Sequence, residues 1–501
     1  MPASRPPAFL LPLLVASALG SSSCGPKQPV VTAPSSTSPP GGASDGAVRA
    51  GGKVAKSRRV IATIPADVAV SFRSLVFAPF GKHVAYVGYD PKVEKPGTRN
   101  PSHGFVVLDN TRDPEFQQIG DLVFSHDGAH LAYESRTGDL LFLRSVIVAD
   151  GRKVGEDEET AEDPFFDAQG ELGYFARKKG GKDRLVLGQR TLGADFDEIW
   201  PDAYSGKKLT FQAAAVSADA KHFAFAVRKG GQTFAAVDGA IVGPGFAAVS
   251  ELHFSAGGAT FAYVGMTRPA TGDPLSLIVN GQKIGGSFSI INQVTLSADG
   301  KRVAFVASDH DHPTRGLYVD GARVAESSFL IIDCIAPTGE VVYNAVDLPK
   351  NELRIGKRSY PPENPKTYDI AANAVFSADG KHMAFVGIIA DKNVPGGAFP
   401  ASNFVAYDGV KKWDADLAIE ALVISPDGAH VAWASNALPI DMNANLIDRG
   451  PLPHGSVFVD GKRMAGAFDD VHGMSWQSGG KVLAFGAKQG SELVWIEEPV
   501  L

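Results

Sequence analysis

From Leu75 onward, a short apolar run, a Ser-x-Asp-Gly step and an alternating apolar segment recur about ten times. One copy is Phe376-Ser377-Ala378-Asp379-Gly380-Lys381-His382-Met383-Ala384-Phe385. Others are Phe124-Ser125-His126-Asp127-Gly128-Ala129-His130-Leu131, Leu296-Ser297-Ala298-Asp299-Gly300-Lys301-Arg302-Val303 and Ile424-Ser425-Pro426-Asp427-Gly428-Ala429-His430-Val431. The alternation after each step predicts a β-strand with one buried face. Asp-Gly between two such runs predicts a tight hairpin, because Gly accepts a positive φ and Asp tolerates the left-handed region. A second such step follows in most units, at Asp238-Gly239, Asn280-Gly281, Asp320-Gly321, Asp408-Gly409 and Asp460-Gly461, with Asp150-Gly151 in an early unit. Each unit therefore reads as strand a, tight turn, strand b, loop, strand c, tight turn, strand d.

The first turn is marked by Gly81, Gly128, Gly170, Ala220, Gly258, Gly300, Gly339, Gly380, Gly428 and Gly480. The third unit (Asp167-Ala168-Gln169-Gly170) and the seventh (Pro337-Thr338-Gly339-Glu340) are degenerate. A spacing of roughly 40–50 residues is that of one four-stranded blade, so the region 58–501 is expected to be an all-β propeller of about ten units. The last unit lacks a fourth strand, whereas 58–64 is a lone strand-like run ahead of the first; joining the two would close a ring. Ten units exceed the usual four to eight blades. The reading favours two smaller propellers with a break near the degenerate middle; one large ring is the alternative.

Composition changes this picture little. The 501 residues include 55 Gly and 33 Pro, as expected for many turns, and 44% hydrophobic residues, ample for a large core. A net charge of −7 without a basic focus gives no support for nucleic-acid binding. The N-terminus adds an address. Arg5 precedes an apolar run over 8–19, of signal-peptide length and too short to span a bilayer as a helix. Cys24 follows Gly20-Ser21-Ser22-Ser23, and the layout resembles a bacterial lipoprotein signal, with Ser21 where that family usually has Leu. The resemblance implies a signal peptide over 1–23, a lipid on Cys24, and export across the inner membrane to the periplasmic face or outer membrane. Ordinary secretion, with cleavage near Ala16-Ser17-Ala18, is the other reading. Residues 24–57, rich in Pro, Ser and Gly, read as a disordered tether, because they carry too few large apolar side chains to build a core.

The units resemble the WD40-like repeats of TolB-type propellers and of prolyl-oligopeptidase-like enzymes. Trp413-Asp414 occurs once, away from the place such a pair holds in true WD40 repeats. The single Gly-x-Ser-x-Gly match, Gly42-Ala43-Ser44-Asp45-Gly46, lies in the Pro- and Ser-rich stretch without the strand and helix patterns a nucleophile elbow needs, so the hydrolase chemistry of the enzyme relatives is not carried over. No Gly-rich phosphate loop or Cys-x-x-Cys motif is present either, and no cofactor is expected.

Chemistry is expected opposite the tight turns, on the face carrying the variable b–c loops, of which 88–104, 387–403 and 436–455 are the longest. Candidate ligand-binding residues there are Asp90, Arg99, His103, Arg315, Asp391, Lys392, Asp441, Asn443, Asp448 and Arg449. Asp309-His310-Asp311-His312 alternates carboxylates with imidazoles and is the candidate site for a divalent metal. The acidic run 156–159, with Glu162 and Asp163 beyond, reads as a solvated loop. His83, His130, His222, His382 and His430 share one position of the repeat and read as blade residues. Cys334, in an apolar run, reads as a buried small hydrophobe. The functional expectation is a lipid-anchored scaffold binding an envelope protein, peptidoglycan or another polysaccharide. The alternative is a hydrolase or lyase acting on carbohydrate or lactone through acidic and His residues of the variable face.

Overall fold

The computed structural model describes residues 56–71, 74–94, 103–139, 142–155, 160–177, 183–192, 196–199, 214–267, 274–308, 314–347, 350–360, 370–390, 400–415, 418–436, 455–464 and 467–500. They form ten antiparallel sheets, each a blade with strands in the order a-b-c-d. Blade 5 is typical: Ala248–Phe254, Phe261–Met266, Leu275–Val279 and Gln282–Phe288. The degenerate units build complete blades too, blade 3 from Thr160–Phe166 to Arg190–Leu192 and blade 7 from Phe329–Ile335 to Arg358–Tyr360. In blades 1, 2 and 4 strand a is split in two, as in Ala69–Val70 and Val76–Phe77 of blade 1.

Blade 10 takes its fourth strand from the other end of the chain. Ser57–Thr63 pairs antiparallel with Glu492–Pro499, from Ser57 opposite Glu497 to Thr63 opposite Glu492. Ion pairs Lys56–Glu498 (2.7 Å) and Arg58–Glu492 (2.5 Å) flank the seam. Arg59 crosses to blade 1, donating to the Gly81 carbonyl at 2.7 Å. The edge expected on 492–499 is thus covered.

The core is divided into ten apolar clusters, each straddling one junction between neighbouring blades. Tyr86 and Phe105 of blade 1 pack with Leu493 and Trp495 of blade 10, which completes the circle. Leu330 and Tyr343 of blade 7 join Val306 and Leu317 of blade 6, while Cys334 and Val342 join Ala374 and Phe385 of blade 8. The chain is therefore one ten-bladed ring, and the expected division into two propellers is corrected. The physical reason is that the degenerate units lost their turn residues but kept both apolar faces of their strands, and those faces make the junctions. Strand a of each blade lies toward strand a of the next, so these strands form the inner wall. Among the described residues no helix is long and apolar enough to cross a membrane.

Candidate binding faces

The tight-turn face is built from one repeated clamp. In blade 8, Ser377 Oγ donates to Asp379 Oδ1 at 2.8 Å and accepts the His382 amide at 3.0 Å. His382 Nδ1 then meets Asp408 Oδ2 at 2.9 Å, and Asp408 Oδ1 accepts the Met383 amide at 3.0 Å. One aspartate thus ties the second turn to the first. His83–Asp109, His130–Asp150, His222–Asp238 and His430–Asp460 repeat the contact at 2.7–2.8 Å. Arg302 replaces His in blade 6, reaching Asp320 at 2.7 Å, and Asn280 keeps only the amide contact in blade 5. The recurring histidines are blade residues, as expected.

The two Asp-Gly steps differ more than the sequence implies. In the second turn the Asp itself is left-handed, with φ of 48° at Asp408 and 51° at Asp238. In the first turn only the glycine is, at 70° for Gly128 and Gly380, and the Asp serves as an acceptor instead. Hydrogen bonds from Ser297 and from Lys301 hold the Asp299 carboxyl down at about 2. The turn glycines also set the spacing between blades: at Gly258 a Cβ would overlap the His222 ring of blade 4.

The inner wall carries polar groups that sequence reading missed. Strand a is bulged in blades 3, 5, 6, 7, 8, 9 and 10. At the bulge Asp163, Glu251, Gln293 and Asn373 take positive φ of 51–57°. A bulge interrupts the ladder and frees backbone groups, and the preceding blade answers two of them. Gln293 Oε1 accepts the Ile332 amide at 2.7 Å, and Asp333 Oδ2 accepts the Ala374 amide at 2.5 Å. The signal was present in the sequence at Asp163, Glu251, Gln293 and Asn373, polar residues four positions before the turn's Asp167, Ser255, Ser297 and Ser377.

Glu162 and Asp163 fall in this wall, within Thr160–Phe166, and not in the solvated loop expected for them; 156–159 lie outside the described residues. Nearby, buried Glu134 accepts from Arg136 Nε at 2.5 Å and Ser145 Oγ at 3.0 Å. The Asp163 carboxyl is pushed up to about 6 by the protein crowding it and by the charges of Glu134 and Glu162, against the pull of Arg136. Its side chain nevertheless meets solvent, which weakens those charges.

Of the residues expected to bind ligand, Asp90 and His103 flank the b–c loop of blade 1, both exposed. Asp90 organises its own turn, its Oδ1 accepting the Lys92 amide at 2.8 Å. Arg315 opens strand c of blade 6, its guanidinium 4.7 Å from the centre of the Phe329 ring in blade 7. Blades 1 and 6 are opposite in a ten-bladed ring, so these residues do not converge. Arg99, Asp391, Lys392, Asp441, Asn443, Asp448, Arg449, the 309–312 metal candidate and Cys24 lie outside the described residues. Among the described residues no three His, Cys, Asp or Glu side chains are grouped to hold a metal ion.

No family model matches the sequence, and no curated protein does. Among solved structures, the β-propeller domain of the Trilobed protease from Pyrococcus furiosus is similar over 76% of this chain and 96% of that one, at 10% identity and a TM-score of 0.31. The tricorn protease is similar over 85% of this chain and 48% of its own, at 12% identity and a TM-score of 0.28. Prolyl oligopeptidase B from Galerina marginata aligns over 66% of this chain and 56% of its own, at 12% identity and a TM-score of 0.31. This chain spans about half the length of the latter two. All three are propeller-containing proteins of other sequence, and the likeness is one of fold alone.

Proposed function

We propose that this protein is a binding scaffold of the bacterial envelope, held by a lipid on Cys24 and presenting its b–c loops to an envelope protein or polysaccharide. The observation that carries this reading is the internal use of the repeated polar side chains. The His–Asp contacts hold hairpins together and the bulge side chains of blades 6 and 7 hold neighbouring blades, so the rigid frame consumes its own chemistry. What varies from blade to blade is the opposite face, where rigid scaffolds carry their binding loops. The tether over 24–57 gives such a ring reach from a membrane surface.

Radiolabelled palmitate is expected to enter the protein and to be lost in Cys24→Ala; no incorporation in the parent refutes the anchor. For the loops, 438–452 replaced by a Gly-Ser linker is expected to lose the crosslinked partner or polysaccharide retained by the parent. Retention unchanged in this variant and in an equivalent 389–401 replacement refutes the loop reading. A second reading, a hydrolase or lyase acting on carbohydrate or lactone, draws on Asp163. A carboxyl that holds its proton to about 6 beside other carboxylates suits a general acid. Turnover of such substrates abolished by Asp163→Asn would favour it over the scaffold.

A further inference from the structure

Ten copies of one unit show which positions the fold constrains, and one copy departs from them on the tight-turn face. Four residues after the glycine of the second turn, the Asp-Gly and Asn-Gly copies carry Gly155, Gly243, Gly285, Ala325 and Ala465. Smallness there has a structural reason. Gly243 lies against Gly281, and Gly285 against Gly321, so adjacent turns touch backbone to backbone. In blade 8 the same position is Trp413, in the strand register that Ala325 occupies in blade 6. Its indole lies across Gly461 of blade 9, where a Cβ would overlap it.

Beside the indole lies an open pocket of about 220 Å3, lined by Tyr407, Lys412, Trp413, Ala429, Val431 and Asp460. Trp433 backs Trp413, with ring centres 5.4 Å apart, and its buried Nε1 makes no hydrogen bond among the described residues. Tyr407 is held in place by its hydroxyl, which donates to the Gly428 carbonyl at 2.7 Å and keeps its acceptor capacity. Asp460 is fixed by His430 and by the Val431 amide. Lys412 is exposed at the strand bulge.

We infer that this pocket is a subsite for a neutral hexopyranose unit, free or within a polysaccharide. Flat aromatic rings match the apolar C–H face of a pyranose, while a cation and a carboxylate in the lining donate to and accept from its hydroxyls. A ligand of either net charge meets one unlike and one like charge, so the lining favours no ionic ligand over a neutral one. That volume is below the range of drug-sized sites and of the order of a single sugar ring. The site lies on the face opposite the b–c loops and stands apart from the proposal made for them.

The test uses the full chain and saturation-transfer NMR with the methyl glycosides of glucose, galactose, mannose and N-acetylglucosamine, alongside methyl glucuronide and choline. Ring-proton signal from at least one neutral glycoside is expected, with affinity falling about tenfold in Trp413→Ala and severalfold in Lys412→Gln. Trp413→Phe should retain part of it. Lys412→Gln alters an exposed side chain and keeps the test decisive if Trp413→Ala fails to fold. Absence of signal from every neutral glycoside at about 20 mM, binding unaffected by both variants, or tighter binding of glucuronide or choline would overturn the assignment.

Discussion

Asp408 holds two groups at once, the Met383 amide through Oδ1 and the His382 ring through Oδ2. Asp408→Ala is therefore expected to cost about 1–3 kcal/mol, because it strands the amide and discards the left-handed preference of the turn. Asp408→Asn should lose less, because it keeps the amide contact that Asn280 makes in blade 5. Urea melts of both variants measure this, and equal losses would refute the shared-acceptor account. Asp163 makes a prediction of opposite kind. Between the ordinary carboxylate range and about 6, the folded chain keeps a proton that the unfolded chain has released. Stability then falls as pH rises through that window. Asp163→Asn, which tolerates the same left-handed backbone, is expected to be more stable than the parent near neutral pH and to lose that pH dependence. A variant no more stable at pH ~7 in urea melts would contradict it. The structural role of the recurring His was legible from its repetition alone. Its partner was not, because His382 and Asp408 belong to different hairpins and only the pairing of strands b and c brings them together.

Strand 57–63 shows what an isolated element can be worth. The run was legible as an unpaired strand because the last unit was one strand short, and the register of Ser57 opposite Glu497 realises that pairing. Deleting 57–63 is expected to lower the melting temperature sharply and to drive self-association through the bared edge of Glu492–Pro499. Thermal melts and size-exclusion chromatography check both, and an unchanged melt would contradict the closure. The ion pairs beside the seam contribute little by comparison, being largely exposed. Less legible were the degenerate hairpins of blades 3 and 7. There Glu171–Arg190 at 3.1 Å and Glu340–Arg358 at 2.7 Å take the place of the His–Asp clamp. The fold keeps a bridge between the two turns while changing its chemistry, so a motif search loses what the geometry retains. Strand-a bulges were missed for a related reason: alternation predicts pleat, and one extra residue looks like noise until the pairing is seen.

At the scale of the whole molecule, blade number was readable from the period, whereas ring number was not. Turn motifs report where hairpins bend; ring size depends on which apolar faces meet, and Ile332 or Val342 carry that information without any motif. A single ring predicts that limited proteolysis yields no stable half-molecule, since each cut leaves every blade gripped on both sides. A persistent fragment of about five blades, seen by mass spectrometry, would contradict it. The candidate sites fared unevenly for a physical reason as well. Repetition constrains the frame and leaves the loops free, so the ligand residues expected on the loops had the least support from pattern. Trp413 was visible in the sequence as a misplaced Trp-Asp pair, and only its contact with Gly461 gave the oddity a meaning.

The closure strand also governs the order of events in time. Ser57 Oγ bonds to Glu497 across 440 residues of sequence, almost the longest separation possible among the described residues. Blades 1 to 9 form from local hairpins and can assemble as they emerge, but the seam must wait for the far end. Joining the ends is expected to be the last and slowest step of folding, since non-local pairing repays its loop-closure entropy only after the intervening blades are in place. Until then the partly built ring presents two raw edges, the state in which a propeller chain is most exposed to association with its neighbours.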